Sequence, residues 1–226
     1  NASLLSVIVP AYNEANTIHL ILDKVLAVKL ISNIEKEIII VNDSADPAIH
    51  AELKKTYPDC ILVLNEKNVG MFTSIDNGSA RVRTPWVLHV EDDWKITRDG
   101  LIAKSLEIMT RREDIEEVWP RDFNNHGTEE TVLYAGRVPY KLSTVNVNKG
   151  VDGYDEGWHG FSTACCLKRI ADYKRVAPYS AINYRGSWKH PVTAWHKEYA
   201  IGLAYYKLGY RTAVLIDDQY AVNIGV

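Results

Sequence analysis

Acidic and amide side chains recur in this sequence directly after short apolar runs. Asn13 and Glu14 follow residues 6–9, Asn42 and Asp43 follow residues 38–41, and Glu91, Asp92 and Asp93 follow residues 86–90. Three contiguous carboxylates repel one another and are costly to bring together unless a cation or a basic partner offsets them. A divalent metal is the natural explanation. Hard oxygen donors from only one or two side chains point to Mg2+ or Mn2+, whose shell would be completed by water and the phosphate oxygens of a substrate. The competing reading is a solvated turn with a helix-capping Asp.

Such residues act together only if the fold brings the ends of those runs to one edge. Residues 6–9 are a β-branched run closed by Pro10. Ile18, Ile21, Leu22 and Val25 then recur at helical spacing, with Asn16 or Thr17 as cap, which predicts strand, loop, helix. The unit repeats. Residues 38–41 are a buried-type strand, Pro47 opens a helix to about Tyr57, residues 60–64 form a third strand, and a helix after Gly70 over 75–82 leads to a fourth strand at 86–90. Unbroken apolar strands alternating with helices imply a parallel sheet covered on both faces, which binds ligands beyond the carboxyl ends of its strands.

The second half has a different texture. A helix over 99–112 precedes short alternating stretches at 118–120 and 132–145, expected as antiparallel strands, and then a segment with Gly150, Gly153, Gly157 and Gly160. Helices are expected at 167–176 and 195–208, with a last strand at 212–216 and a tail. Of the 13 Tyr, 11 lie at or beyond Tyr134, a bias towards rings with a polar handle that suits hydroxyl-rich ligands but equally suits half-buried packing. Trp158, His159 and Gly160 could stack on a sugar or simply anchor a loop by one buried Trp.

Composition excludes several classes. Lys plus Arg number 26 against 29 Asp plus Glu, a formal charge of −3, which does not provide the basic face that nucleic acid requires. No apolar run spans a bilayer and no basic-then-apolar signal opens the sequence, so the expectation is a soluble protein with no membrane segment. The 3 Cys, with Cys165 and Cys166 adjacent, form neither a disulfide framework nor a Cys-x-x-Cys motif, and a reducing, cytoplasmic setting follows. The opening Asn1-Ala2 directly before a strand is the pattern of a domain excised from a longer chain.

The order Val7-Ile8-Val9-Pro10-Ala11-Tyr12-Asn13-Glu14, Glu37-Ile38-Ile39-Ile40-Val41-Asn42-Asp43-Ser44, Asn68-Val69-Gly70 and Val87-Leu88-His89-Val90-Glu91-Asp92-Asp93 resembles the GT-A glycosyltransferases of the inverting family 2 type. The resemblance is clear over 5–112. It resumes faintly at 160–169 and at 197–210, where Glu198 precedes a helix ending Lys207-Leu208-Gly209-Tyr210. The Glu-Asp-Asp tripeptide is similar to the variant of the family's Asp-x-Asp metal motif found in the N-acetylglucosaminyltransferase I type.

The resemblance implies an α/β, Rossmann-like fold with a mostly parallel central sheet flanked by helices and a small antiparallel sheet in the C-terminal half. It implies one domain over 1–226, with a nucleotide-binding half to about 98 and a sugar and acceptor half beyond. Pro10, Ala11, Tyr12 and Glu14 would cradle the nucleotide with Asn68 and Gly70, and Asp43 would accept from the ring N–H of a uracil-type base. Asp93 would bind Mn2+ or Mg2+. Glu91 and Asp92 would reach the metal, its water or the ribose, and Asn223 stands where some relatives carry a metal-binding His. Glu198 matches the catalytic base, although the usual Glu-Asp pair is here Lys197-Glu198. The implied partners are a nucleotide-sugar donor, a UDP-sugar, and a glycan, glycolipid or glycoprotein acceptor. Arg81 or Arg83, just ahead of the metal strand, could reach the diphosphate.

Rivals fare worse. No Gly-x-Gly-x-x-Gly or Gly-x-x-x-x-Gly-Lys follows the first strand, which argues against dehydrogenases and P-loop kinases. A sugar-nucleotide-forming nucleotidyltransferase lacks its basic Gly-rich signature. His190, His196 and Glu198 lack zinc-hydrolase spacing. A catalytically silent carbohydrate-binding module of the same fold keeps one argument, the Lys197 substitution.

Overall fold

The computed structural model describes residues 4–11, 18–30, 34–91, 94–120, 127–145, 148–149, 155–156, 158–183 and 194–224. In chain order, β1 (Leu4–Ala11), α1 (Ile18–Ala27), β2 (Glu35–Asn42), α2 (Pro47–Thr56), β3 (Ile61–Leu64), α3 (Met71–Ser79) and β4 (Trp86–His89) form the first half. Their boundaries follow local chemistry. Pro47 fills the first turn of α2, where its missing N–H costs nothing, and the Asp46 side chain accepts from Ala48 N at 2.8 Å to cap it. β1 is buried along nearly its whole length, as a central strand covered on both faces must be.

The four strands lie in the order β3-β2-β1-β4, all parallel. The chain steps outward from β1 to β3 and returns to the far side of β1 for β4, so strand order reverses between β1 and β4. A crevice at such a switch point is where open α/β sheets hold ligands.

After β5 (Trp94–Ile96) and the amphipathic α4 (Leu101–Arg111), which buries Leu101, Ser105, Ile108 and Met109, the sheet grows by insertion. β6 (Ile115–Trp119), β7 (Leu133–Ala135), β8 (Val138–Leu142), β11 (Cys166–Arg169) and β12 (Arg211–Leu215) extend it to nine strands in the order β3-β2-β1-β4-β11-β6-β12-β8-β7. A two-residue pair, β9 (Asn148–Lys149) with β10 (Asp155–Glu156), and an antiparallel ribbon of β13 (Ala221–Asn223) with β5 stand apart. Helices α5 (Ile170–Val176) and α6 (Ala194–Lys207) complete the fold. None of the helices is long and apolar enough to cross a membrane, among the described residues.

The expected mostly parallel sheet and small antiparallel sheet are present, with three corrections of detail. The stretch 132–145 does form an antiparallel hairpin, but it lengthens the main sheet; the separate small ribbon is made by β5 and by what was expected to be a tail. Residues 166–169 are a strand, and the helix expected from 167 begins at Ile170. Four residues, two of them basic, are too few for periodicity to separate strand from helix, and here the open edge of β4 decides. β6 begins at Ile115 rather than at 118 and carries two buried glutamates that read locally as loop.

Those glutamates are accommodated differently because they face opposite sides of the strand. Glu117, with a fully buried side chain, is the cross-strand partner of Lys168, whose Nζ lies 2.9 Å from its carboxylate. Among the described residues Glu116 accepts a hydrogen bond from the Thr212 hydroxyl at 3.2 Å. Burial, with Glu117 next, holds the Glu116 carboxyl well above its ordinary value, so the folded state favours the neutral acid. The associated stability is complete below the ordinary Glu value and is lost as pH rises through the raised one. Glu116→Gln should therefore melt close to the wild type at about pH 5 and above it at about pH 8, the gain growing with pH. An offset in thermal unfolding that is independent of pH would show that Glu116 is not held neutral.

Candidate active site

Among the described residues, the carboxyl edge of the parallel strands carries Asp43 and Glu91. Asp43, just past β2, is held by its N–H donating to Ala11 O at 3.2 Å. Its carboxylate closes the turn that starts α3. Oδ1 accepts from Val69 N and Asn65 Nδ2, both at 2.9 Å, and Oδ2 accepts from Gly70 N at 2.9 Å. Gly70 adopts φ +83°, a left-handed conformation that L side chains rarely take, and this presents two successive N–H groups to one carboxylate. An anion at the start of a helix also suits the helix dipole. Asn68 Oδ1 shares the Gly70 N–H at 3.1 Å. Asn65, which the sequence did not single out, donates further to Ser74 Oγ and accepts from Asn77, each at 3.1 Å. Pro10 and Ala11 end β1 beside this turn; Tyr12 and Glu14 lie outside the described residues.

Two strands away, Glu91 follows β4 with its carboxylate 3.7 Å from His89 Nε2, too far for a hydrogen bond. Asp92 and Asp93 lie outside the described residues, and no three His, Cys, Asp or Glu side chains among the described residues could hold a metal. The donor chemistry that is visible suits a hard divalent cation. It consists of the Glu91 carboxylate and the Asn223 amide, which β13 carries to the position opposite Trp94, one residue past the acidic tripeptide.

Arg81 follows α3 at the amino edge of the sheet, near Arg83, whose N–H meets Glu37 early in β2. That is the opposite end from Asp43 and Glu91, and Arg81 is exposed there. Arg81 is close to β4 in sequence, but α3 runs antiparallel to that strand, from the carboxyl edge to the amino edge.

Glu198, in α6, reaches the segment leading into β11. Its Oε1 accepts from Thr163 N at 2.7 Å and Thr163 Oγ1 at 2.6 Å. Burial pushes its carboxyl up; the bonds from Thr163 and the charge of Lys168 oppose this, and Glu91 adds to it. The same Glu91 charge, after burial, helps push the Cys165 thiol up to about 12, so Cys165 is a neutral neighbour. Lys197 Nζ donates to Ser180 O at 2.7 Å and lies over the Phe72 ring. Ser180 N and Tyr179 N in turn donate to Asp76 at 2.8 and 2.9 Å.

Trp158 packs in a cluster, 5.5 Å from Trp119 and 5.6 Å from Tyr199 between ring centroids. His159 is buried beside Tyr206. Gly160 has φ +98°, and a Cβ there would come within 2.6 Å of Thr212 Oγ1, so packing alone demands glycine. Thr163, Lys168, Glu117 and Asn65 were missed in the sequence. Each is an ordinary polar residue whose partner lies far away along the chain.

The profile of the family described as Glycosyl transferase family 2 matches residues 6–166. No curated protein sequence gives a significant match. Among solved structures, TarS 1-349 of S. aureus, also solved in complex with UDP, superposes with a TM-score of 0.56 at 18% identity, over 96% of this chain and 59% of that one. The mannosyltransferase PcManGT from Pyrobaculum calidifontis, in complex with GDP-Man and Mn2+, gives 0.56 at 16% identity, over 94% of this chain and 56% of that one. The chain thus spans less than two thirds of either, and at these identities the likeness is one of fold.

Removing the Asp43 carboxylate strands Val69 N–H and one Asn65 donor and leaves Gly70 N–H only its longer bond to Asn68 Oδ1. Asp43→Ala should cost about 2–3 kcal/mol of stability, and Asp43→Asn less. Urea unfolding checks this, and a midpoint unchanged in Asp43→Ala would remove the turn-closing role.

Proposed function

The chain belongs to glycosyl transferase family 2, and from that premise we propose that it transfers a sugar from a UDP-sugar to a hydroxyl of a glycan, glycolipid or glycoprotein, inverting the anomeric carbon. The observation that carries this reading is the shared edge. A turn-closing Asp43, a Glu91 that ends β4, and a half-buried Glu198 whose charge Glu91 disfavours all gather beside the switch point of the sheet.

In this reading the nucleotide lies against Pro10, Ala11, Tyr12, Glu14, Asn68 and Gly70, with Asp92 at the ribose. Asp43 accepts from the base through lone-pair capacity that its three internal bonds leave over. Glu91, Asp93 and Asn223 hold Mn2+ or Mg2+, in a Glu-Asp-Asp version of the family's metal motif. When bound, that cation offsets the negative charge that builds on the departing diphosphate. Contacts of Trp158, His159 and Gly160 with the sugar rest on the stacking chemistry of the rings alone.

Glu198 acts as general base. The acceptor oxygen attacks the anomeric carbon and its proton passes to the Glu198 carboxylate, while the bond to the diphosphate breaks and its electron pair leaves with the phosphate oxygen. A carboxyl raised by burial is a better proton acceptor than an exposed one, provided it is ionised at working pH. Lys197, bonded to Ser180 O, favours the silent-module alternative only in that the second acid of the pair is missing.

Calorimetric titration of UDP, GDP and dTDP, with and without Mn2+, should show metal-dependent binding of UDP that Asp93→Ala abolishes. Binding of none would favour the silent module. Glu198→Gln should bind donor normally and transfer no sugar. In the wild type, transfer should fall as pH drops, with a midpoint above the ordinary Glu value. Wild-type transfer by Glu198→Gln would place the base elsewhere, with Asp155 or Glu156 next to test.

A further inference from the structure

The Glu198 carboxylate is held by a single peptide unit whose other end is also gripped. Thr163 N–H donates to Glu198 Oε1 at 2.7 Å, and the carbonyl of that same peptide, Ser162 O, accepts from Lys168 Nζ at 2.9 Å. Ser162 is fixed a second time, its own N–H donating to Glu117 Oε1 at 2.9 Å. Lys168 and Glu117 are directly paired and buried in the sheet. The peptide plane is therefore clamped by a buried ion pair before it meets Glu198, and a cation on its carbonyl polarises the N–H that points at the carboxylate. The Thr163 hydroxyl adds a second donor to the same oxygen at 2.6 Å. Both donors converge on Oε1, which leaves Oε2 outside the clamp.

We propose that Thr163 is the positioning residue of this enzyme's proton-accepting step: its N–H and hydroxyl fix one oxygen of Glu198 so that the other, Oε2, faces the acceptor hydroxyl. The proposal rests on Glu198 being the base. An untethered Glu side chain samples several rotamers, of which few present an oxygen to the acceptor. A doubly tethered one is already in place, and that advantage belongs to the chemical step rather than to donor binding. The Thr163 side chain is otherwise buried, so valine, of the same shape, removes the hydroxyl donor without opening a cavity, and serine retains it.

The test compares wild type with Thr163→Val, Thr163→Ser and Glu198→Gln. Turnover is read as release of the nucleoside diphosphate to water, using whichever of UDP-glucose, UDP-N-acetylglucosamine and GDP-mannose the wild type hydrolyses fastest. Thr163→Val should lower kcat by about 10- to 100-fold, as expected for losing a hydrogen bond to a charged group. Its KM and its calorimetric affinity for UDP should stay unchanged, and Thr163→Ser should restore most of the rate. In a 1H–15N spectrum the Thr163 amide proton should lie downfield and move upfield in Glu198→Gln, a readout that needs no turnover.

If Glu198→Gln transfers normally, the base assignment fails and the positioning role fails with it. If Glu198→Gln is dead while Thr163→Val turns over at the wild-type rate, the base stands and the positioning role is overturned. Loss of UDP binding or of cooperative unfolding in Thr163→Val would make Thr163 a packing residue, which also overturns it. A Thr163 amide that is indifferent to Glu198→Gln does the same.

Discussion

A lysine and a glutamate sit opposite each other inside the sheet, Lys168 on β11 and Glu117 on β6, and the rest of the molecule is arranged around satisfying them. An ion in that position left without its partner costs about 3–5 kcal/mol. The pair is accordingly saturated. Glu117 also accepts from Trp119 Nε1 at 2.7 Å and from Ser162 N, and Lys168 reaches Ser162 O and lies 4.0 Å from the Phe161 ring centroid. Burial acts against the ammonium, but Cys166 and Glu117 outweigh it and raise its proton affinity. β11 is also the strand that joins the parallel half of the sheet, through β4, to the mixed half, through β6. The ion pair therefore fixes the seam of the fold and, one residue beyond Ser162, the approach to Glu198.

The edge that results combines two kinds of carboxylate. Asp43 is held by two backbone donors and the Asn65 amide and serves first as architecture, closing the turn before α3. Glu198 is tethered through one oxygen, with burial and Glu91 raising its affinity for a proton. Their environments set this contrast, because the same functional group behaves differently according to how many donors face it and how much water is excluded.

The sequence is most readable where structure is decided locally. β-branched runs and Pro47 define the first four strands and three helices, and the resemblance that marks Asp43 and Glu91 lies on those same stretches, whereas Glu198 lies in its fainter stretch on α6. It is least readable where a partner distant in the chain decides. Lys168 and Glu117 are ordinary charged residues until the strands pair, so β11 was expected as helix and the start of β6 as loop. Arg81 lies at the amino edge because α3 returns there, which adjacency along the chain does not tell. Asn65 and Thr163 left no signal, since a single amide or hydroxyl has meaning only beside the carboxylate it serves.

The insertion of β11 between β4 and β6 also constrains how the chain can be made. Residues 86–89 cannot find their outer neighbour until residues 166–169 have emerged from the ribosome, because His89 pairs with Cys166 and Trp86 with Arg169. In the interval the nascent first half is a four-stranded parallel sheet with a bare hydrophobic rim, the kind of rim that invites pairing with a second chain. Such distant pairings are slow to form. A nascent intermediate of this kind relies on chaperones or dilution until its seam closes. The first four strands thus have one edge that is closed only by a strand from much later in the chain.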